Sequence, residues 1–463
     1  MATAVGSHPL SGSRRNILSF TGALEAYRQG RFDTSCRVLE DDPSPRARTL
    51  LARAHSRMNR NREALAIAEE LLARNSLSLD EKIEVQTYYA FVLTRTGDVS
   101  GAFSSIERAR ALLRPQTPLS LEGELLFVEA AARFAVGEHV ASERSAWNAI
   151  YVDLDLNKRS SPPDSEVPAP LTTTKARALQ VIGVIRSTQE RYHEHYRILR
   201  EAISMLRTGA STDLFLQSYL EANRSYYARD LGMLHETVEF EMLPFREWPP
   251  ELSELSAEIE RSLGYLYALQ GDDRAAMTSF RSALARSRSA ANRLLFLSDV
   301  AFVSRHGRQP RVLDRELIEA CSCADDVPWE SEAVERYALH AFAQELSFIA
   351  PLRAESYMRR FEALSLDAQP LSISGDRAQA EADYSAAIIA RNNGHLDVAI
   401  WRFASSYEIW RRIGYRWRAA AAAIDLGELT GDRAISAYAR QEATVFPQSW
   451  LVRQIARSEE QAS

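Results

Sequence analysis

The chain has 463 residues, of which 46% are hydrophobic and 25% charged, and its formal net charge is −6. That length exceeds what one compact core supports, so the chain is either multidomain or a repeat array. The acidic balance gives no general attraction for nucleic acid or anionic lipid, and Cys36, Cys321 and Cys323 cannot make a disulfide framework or a zinc site, so a reducing compartment fits.

Residues 1–15 read as a flexible N-terminus without an apolar core long enough for a signal peptide. No later segment approaches a membrane span, which makes the cytoplasm the expected location. From residue 16 onward, turn signals recur near Gly30, Asn59, Gly97, Gly137, Glu190, Gly232, Gly271, Gly307, Ala350, Gly394 and Gly431, about 40 residues apart through most of the chain. Small residues are phased to these marks. Seven before stand Ala23, Ala52, Ala90, Ala130, Gly183, Ser225, Gly264, Ala343 and Ala387, and five after stand Ser35, Ala64, Ala102, Ser142, Ala276, Ala399 and Ser436. Twelve after come Ala109, Ala149, Ala202 and Ala283. His195, Thr237, Val312 and Glu355 break the second of these positions, which predicts looser packing there.

The phasing predicts antiparallel helical hairpins over 16–157 and again over 172–432. Between them, the Pro- and Ser-rich stretch 158–171 lacks periodicity and reads as an exposed loop. A second bend is expected at Leu243-Pro-Phe-Arg-Glu-Trp-Pro-Pro250. Residues 433–457 read as capping helices, which a solenoid needs to cover its last apolar face, and 458–463 as a flexible tail.

The clearest unit is residues 263–283, LGYLYALQGDDRAAMTSFRSA. Leu263, Gly264 and Tyr267 mark one face of a first helix, Gly271 breaks it, and Ala276, Phe280 and Ala283 mark one face of a second. The order of small and aromatic positions resembles the tetratricopeptide repeat (TPR). The expected fold class is therefore all-α, an α-solenoid of about ten TPR-like hairpins, with no strand.

No catalytic constellation emerges. A phosphate loop ending in Lys-Ser or Lys-Thr, a GxGxxG after a strand and a Gly-x-Ser-x-Gly elbow are all missing from the sequence. In Tyr192-His-Glu-His-Tyr196 the two histidines are two apart, so on a helix they point to nearly opposite sides and do not form a metal pair. No enzyme activity, metal or cofactor is expected. Trp401, Phe403, Tyr407, Trp410, Tyr415 and Trp417 crowd one region among arginines. Their spacing reads first as a core face, and Trp401, Tyr407, Trp410 and Trp417 are an alternative interface.

In TPR proteins the concave face, lined by the first helix of each hairpin, binds an extended peptide or a partner helix. Carrying those inward positions over gives Asn223, Tyr226 and Arg229, then Arg261 and Tyr265, then Tyr384 and Arg391. Arginine, asparagine and tyrosine offer forked donors and flat apolar contacts, which suits peptide recognition, without the Lys/Asn carboxylate clamp of chaperone-binding TPR proteins. The resemblance thus implies a non-enzymatic scaffold or adaptor for a protein or peptide, with homo-oligomers possible and no nucleic acid or membrane. The alternative is a regulatory sensor resembling the TPR arm of LuxR-type bacterial transcription regulators, acting through a partner. On this reading, Arg261→Glu with Tyr265→Ala leaves the melting temperature nearly unchanged and weakens partner capture, whereas the same change at Arg281 and Ser282 on the outer face leaves capture intact.

Overall fold

A computed structural model describes residues 11–154, 171–208, 213–233, 253–306, 317–318, 320, 332–364 and 375–462. Among these residues there are 21 α-helices and no strand. The first ten pair as hairpins: α1 (Ser11–Arg28) with α2 (Phe32–Leu39), α3 (Pro45–Arg57) with α4 (Asn61–Leu72), α5 (Leu79–Thr96) with α6 (Val99–Ala111), α7 (Leu119–Ala135) with α8 (His139–Ile150), and α9 (Leu171–Thr188) with α10 (Tyr192–Thr208). There follow α11 (Leu214–Asp230), α12 (Ser253–Gln270) with α13 (Asp273–Arg286), α14 (Ala290–His306), and α15 (Glu332–Leu346) with α16 (Pro351–Ala363). The chain then runs through α17 (Gly375–Asn392), α18 (Leu396–Ile413), α19 (Arg416–Thr430), α20 (Arg433–Ala443) and a final α21 (Trp450–Ala462). The expected Pro/Ser-rich loop (apart from Leu171, which opens α9), the bend at 243–250 and the turn at Gly307 lie outside the described residues, as do Thr237, Val312, Cys321 and Cys323.

The turns explain the period. Gly30, Asn59, Gly97, Gly137, Glu190, Gly232, Gly271, Gly394 and Gly431 all adopt positive φ, between 61° and 87°. A left-handed residue ends one helix and reverses the chain, and glycine does so without steric cost. At Gly97-Asp98, Gly271-Asp272 and Gly431-Asp432 the next residue is an aspartate whose carboxylate accepts a backbone N–H of the following helix. Ala350 is the exception. Its φ is −143° and Pro351 opens α16 directly. Without the left-handed residue the register slips by one, so the buried small residue is Ala354 while Glu355 is half-buried.

The phased small residues form the helix–helix seams. All nine positions before the marks are buried, and so are Ser35, Ala64, Ala102, Ser142, Ala276 and Ala399 after them; Ser436 is half-buried. Ala109, Ala149, Ala202 and Ala283 are fully enclosed. His195 does not loosen its hairpin: it is 4% exposed, with its ring centroid 4.3 Å from that of Tyr227.

The chain divides into two compact units. Unit 1 holds the described residues 11–154, 171–185, 197–208 and 213–220, and unit 2 holds 186–196, 221–233, 253–306, 332–364 and 375–462. In unit 1, Arg53 is enclosed and donates to Glu124 at 2.8 and 3.1 Å, while Tyr88 Oη donates to the Ala52 carbonyl at 2.7 Å. In unit 2 the first and last segments meet. Tyr192 lies 4.8 Å from Tyr415, and Trp417 Nε1 donates to Asp230 at 2.8 Å.

The seam of α12 and α13 leaves no room for a side chain at Gly264. A Cβ at Gly264 would stand 2.7 Å from the Phe280 ring, which is itself fully buried. Gly264→Leu is expected to lower stability by about 1–3 kcal/mol through overpacking. Gly22, exposed in α1 with nothing within 4 Å of its Cβ direction, is the contrast. Gly22→Ala should hold or raise the urea midpoint, because alanine costs less backbone entropy in a helix. Equal midpoints for Gly264→Leu and wild type would remove Gly264 from the seam.

Candidate functional site

The inner face of unit 2 is built from first helices: α12, α14, α15, α17 and α19. Each of the first four presents a basic or phenolic side chain to a carboxylate on the next first helix. Arg261 on α12 donates to Asp299 on α14 at 2.6 Å, and Tyr265 Oη donates to the other oxygen of the same carboxylate. Arg305 on α14 reaches Glu345 on α15 at 2.7 and 3.1 Å. His340 on α15 stands 3.7 Å from Glu381 on α17. On α17, Tyr384 and Arg391 both donate to Asp425 on α19, at 2.7 and 2.6 Å. The partners are 34 to 41 residues apart, which is the repeat period.

The carboxylates are the deeply enclosed partners: Asp299, Glu345, Glu381 and Asp425 are each 5% exposed or less. Burial alone would raise the Glu381 carboxyl, but Arg377, Arg418 and His340 around it hold it down to about 2. Tyr265 and Tyr384 move the other way. Burial, then the adjacent Asp299 or Asp425, pushes both phenols well above their ordinary range, so they remain hydrogen-bond donors at any physiological pH.

Several of these side chains line a cavity of about 80 Å3 whose wall includes Arg261, Tyr265, Asp299, Tyr384, Trp417 and Trp450. Arg229 packs beside one wall residue, its guanidinium 5.0 Å from the Tyr265 centroid and 4.4 Å from that of Tyr226, with Nε donating to Asp230 at 2.9 Å. Asn223 and Tyr226 are half-buried on α11. All seven residues named from the repeat register therefore belong to unit 2. Six of them meet in two groups: Tyr226, Arg229, Tyr265 and Arg261 through ring contacts and Asp299, and Tyr384 with Arg391 through Asp425. The sequence reading did not find their carboxylate partners: an acid stands about one period downstream of each base, but nothing local distinguishes it from the chain's other acidic residues.

The C-terminal aromatic group divides. Trp401 is 62% exposed, with Arg402 lying 4.9 Å from its ring centroid, whereas Tyr407, Trp410 and Trp417 are buried. Trp410 stacks on Tyr415 with 7° between planes. The two histidines of residues 192–196 also diverge, His193 exposed and His195 buried. Among the described residues no group of three or more His, Cys, Asp or Glu is placed to hold a metal. Among the same residues no helix is long and apolar enough to cross a membrane.

No protein-family model matches the chain, and no curated protein matches it. Solved structures do. The apo form of RapI is similar over 84% of this chain and 98% of its own, with 12% identity and a TM-score of 0.53. A Rap protein complexed with competence and sporulation factor covers 81% of this chain and 99% of its own, with 12% identity and a TM-score of 0.46. A tetratricopeptide repeat protein from Parabacteroides merdae covers 63% of this chain and 99% of its own, with 15% identity and a TM-score of 0.34. The chain has a TPR-like helical-repeat fold, an all-α solenoid of antiparallel hairpins.

Two outcomes follow from this geometry. The expectation that Arg261→Glu with Tyr265→Ala leaves stability untouched is corrected by Asp299. That enclosed carboxylate loses both partners and gains a facing negative charge, so the double variant should lose on the order of 3 kcal/mol. Ser282 is not a blank control either, because its hydroxyl donates to buried Glu260 at 3.0 Å. A thermal melt of the double variant matching wild type would remove Asp299 from this role.

The second concerns pH. Burial pushes the His195 imidazole down to about 3, whereas an unfolded histidine titrates near its ordinary value of 6.5. Below that value the unfolded chain takes up a proton that the folded chain refuses, so this contribution to stability is complete above pH 6.5 and declines as pH falls towards 3. Replacing His195 by glutamine should remove up to one proton's worth of slope, about 1.4 kcal/mol per pH unit, between these limits. Urea midpoints measured at pH 4, 5 and 6 check it; an unchanged slope in the variant would mean that His195 titrates normally.

Proposed function

We propose that the chain is a non-enzymatic TPR-like adaptor that binds a protein or peptide along the inner face of unit 2. Asn223, Tyr226, Arg229, Arg261, Tyr265, Tyr384 and Arg391 form or flank that surface, with Trp401 as an outer alternative. One observation carries the reading: the cavity of about 80 Å3 is walled by aromatic rings and by ions of both signs held on rigid helices. It has room for several waters or for one inserted side chain. Aromatic and arginine surfaces of this kind are what interface hot spots are built from.

The electrostatics favour binding over catalysis. The carboxylates Asp299, Glu345 and Asp425 each hold an arginine, and the two phenols facing them are poor bases and poor nucleophiles at neutral pH. Because the charges compensate within the lattice, a partner gains from shape, stacking and hydrogen bonds more than from net charge.

Filling the cavity tests the reading without breaking the ion pairs. Ala341 lines it and is half-buried, so Ala341→Trp places a ring into the space. Peptides selected from a display library on the wild-type protein should lose at least about tenfold in affinity for Ala341→Trp, which is about 1.4 kcal/mol. They should bind unchanged to Arg281→Glu, which alters an exposed outer position. Equal binding to both variants would move the binding surface away from the cavity.

A further inference from the structure

The last helix lies on this inner face. Trp450, at the start of α21, helps to wall the cavity, with its ring edge-on to Phe302 at 5.3 Å and 4.3 Å from His306. Arg453 donates to Asp273 at 2.8 Å and to the His306 carbonyl at 3.3 Å. Gln454 donates to Asp425 at 3.3 Å, the same carboxylate that holds Tyr384 and Arg391. Ser458 donates to Glu428. The helix thus uses an aromatic anchor, a cation and an amide on the surface expected to receive a partner.

Its hold is concentrated at one end. Trp450 and Leu451 are 3% and 0% exposed, whereas every residue from Val452 to Glu460 is half-buried or exposed. An open space of about 450 Å3, lined by Ile424, Gly427, Ser436, Arg440 and Ile455 among others, lies between α21 and the α19–α20 hairpin. Half-exposed polar contacts contribute little each, and a helix of 13 residues is marginal by itself in water. The segment leading into α21 is seated through Gly271, where a Cβ would fall on the Gln448 carbonyl oxygen.

We propose that α21 is an internal ligand of the inner face, and that the partner is a helical segment of the same chemistry: a large aromatic residue followed three and four positions later by arginine and an amide. Binding of the partner displaces α21. This rests on the binding function proposed above for the same surface, and it adds what the partner looks like and how access to it is controlled. A tethered segment competes at an effective concentration on the order of millimolar, so a free peptide must overcome it.

Two glycines with the same backbone separate release from strain. Gly271 and Gly394 both have φ of +81°, but a Cβ at Gly394 meets nothing within 4 Å. A labelled peptide of residues 446–462 is titrated against full-length wild type, Gly271→Ala and Gly394→Ala by fluorescence anisotropy. Gly271→Ala should bind it at least about tenfold more tightly than the other two, and the same peptide carrying Trp450→Ala should not bind. Hydrogen exchange on the wild-type protein is read alongside: amides of α21 should exchange faster than those of α19. Equal peptide affinities for the three proteins would overturn the proposal, and so would α21 amides protected to the level of α19, even if Gly271→Ala fails to fold. The two readings fail separately. Loss of selected peptides from Ala341→Trp together with a permanently closed α21 would keep the binding function and discard the displaceable helix.

Discussion

In most described hairpins of this chain a residue no larger than serine faces the partner helix at the seam, and the turn between the two helices fixes which residue that is; at the Glu190 turn the buried His195 takes that place. A left-handed residue reverses the chain with a constant geometry, so the close-contact positions fall at constant offsets on either side. Gly264 shows the constraint directly, with the Phe280 ring occupying the space of its missing side chain. Ala350 shows it by default: with no left-handed residue the contact moves to Ala354. Asn59 and Glu190 hold positive φ as non-glycine residues, a strain of about 1–2 kcal/mol each that the packed helices must offset.

The inner-face lattice is a consequence of the same spacing. Once hairpins stack with a period near 40 residues, side chains one period apart on successive first helices meet across the groove. Arg261 meets Asp299, Arg305 meets Glu345, and Arg391 meets Asp425. Their net worth to folding is modest, since each carboxylate gives up its hydration. What they do is fix how each hairpin is rotated on the next, because a buried carboxylate whose two partners are withdrawn is strongly unfavourable. The surface available to a partner is therefore rigid before the partner arrives.

Periodicity carried most of the fold and part of the site. The turns and the buried small positions were legible because both are local: a glycine, an aspartate after it, an alanine at a set offset. The register also named Arg261, Tyr265, Tyr384 and Arg391 on first helices, where each pair shares one carboxylate, Asp299 or Asp425. Three things were not legible. The carboxylates were hidden among 62 acidic residues, and nothing local marks Asp299 or Asp425 as enclosed. His195 read as a defect in a small-residue position, since its fit against Tyr227 depends on a helix 32 residues away. The meeting of Trp417 with Asp230, 187 residues apart, depends on small rotations summed over several hairpins, and no single repeat encodes that sum.

That closure bears on how such a surface can be regulated. An open stack of hairpins leaves its inner face to whatever reaches it. In unit 2 the first and last segments touch through Tyr192, Tyr415, Asp230 and Trp417, so the chain's own C-terminal residues are delivered to the inner face. Gln448 then passes against Gly271, and Trp450 enters the cavity wall. The same closure that positions the lattice residues also positions a competitor for them. A change far from the groove that loosens the Tyr192–Tyr415 or Trp417–Asp230 contact would act on both at once, through geometry and without any new bond to the ligand.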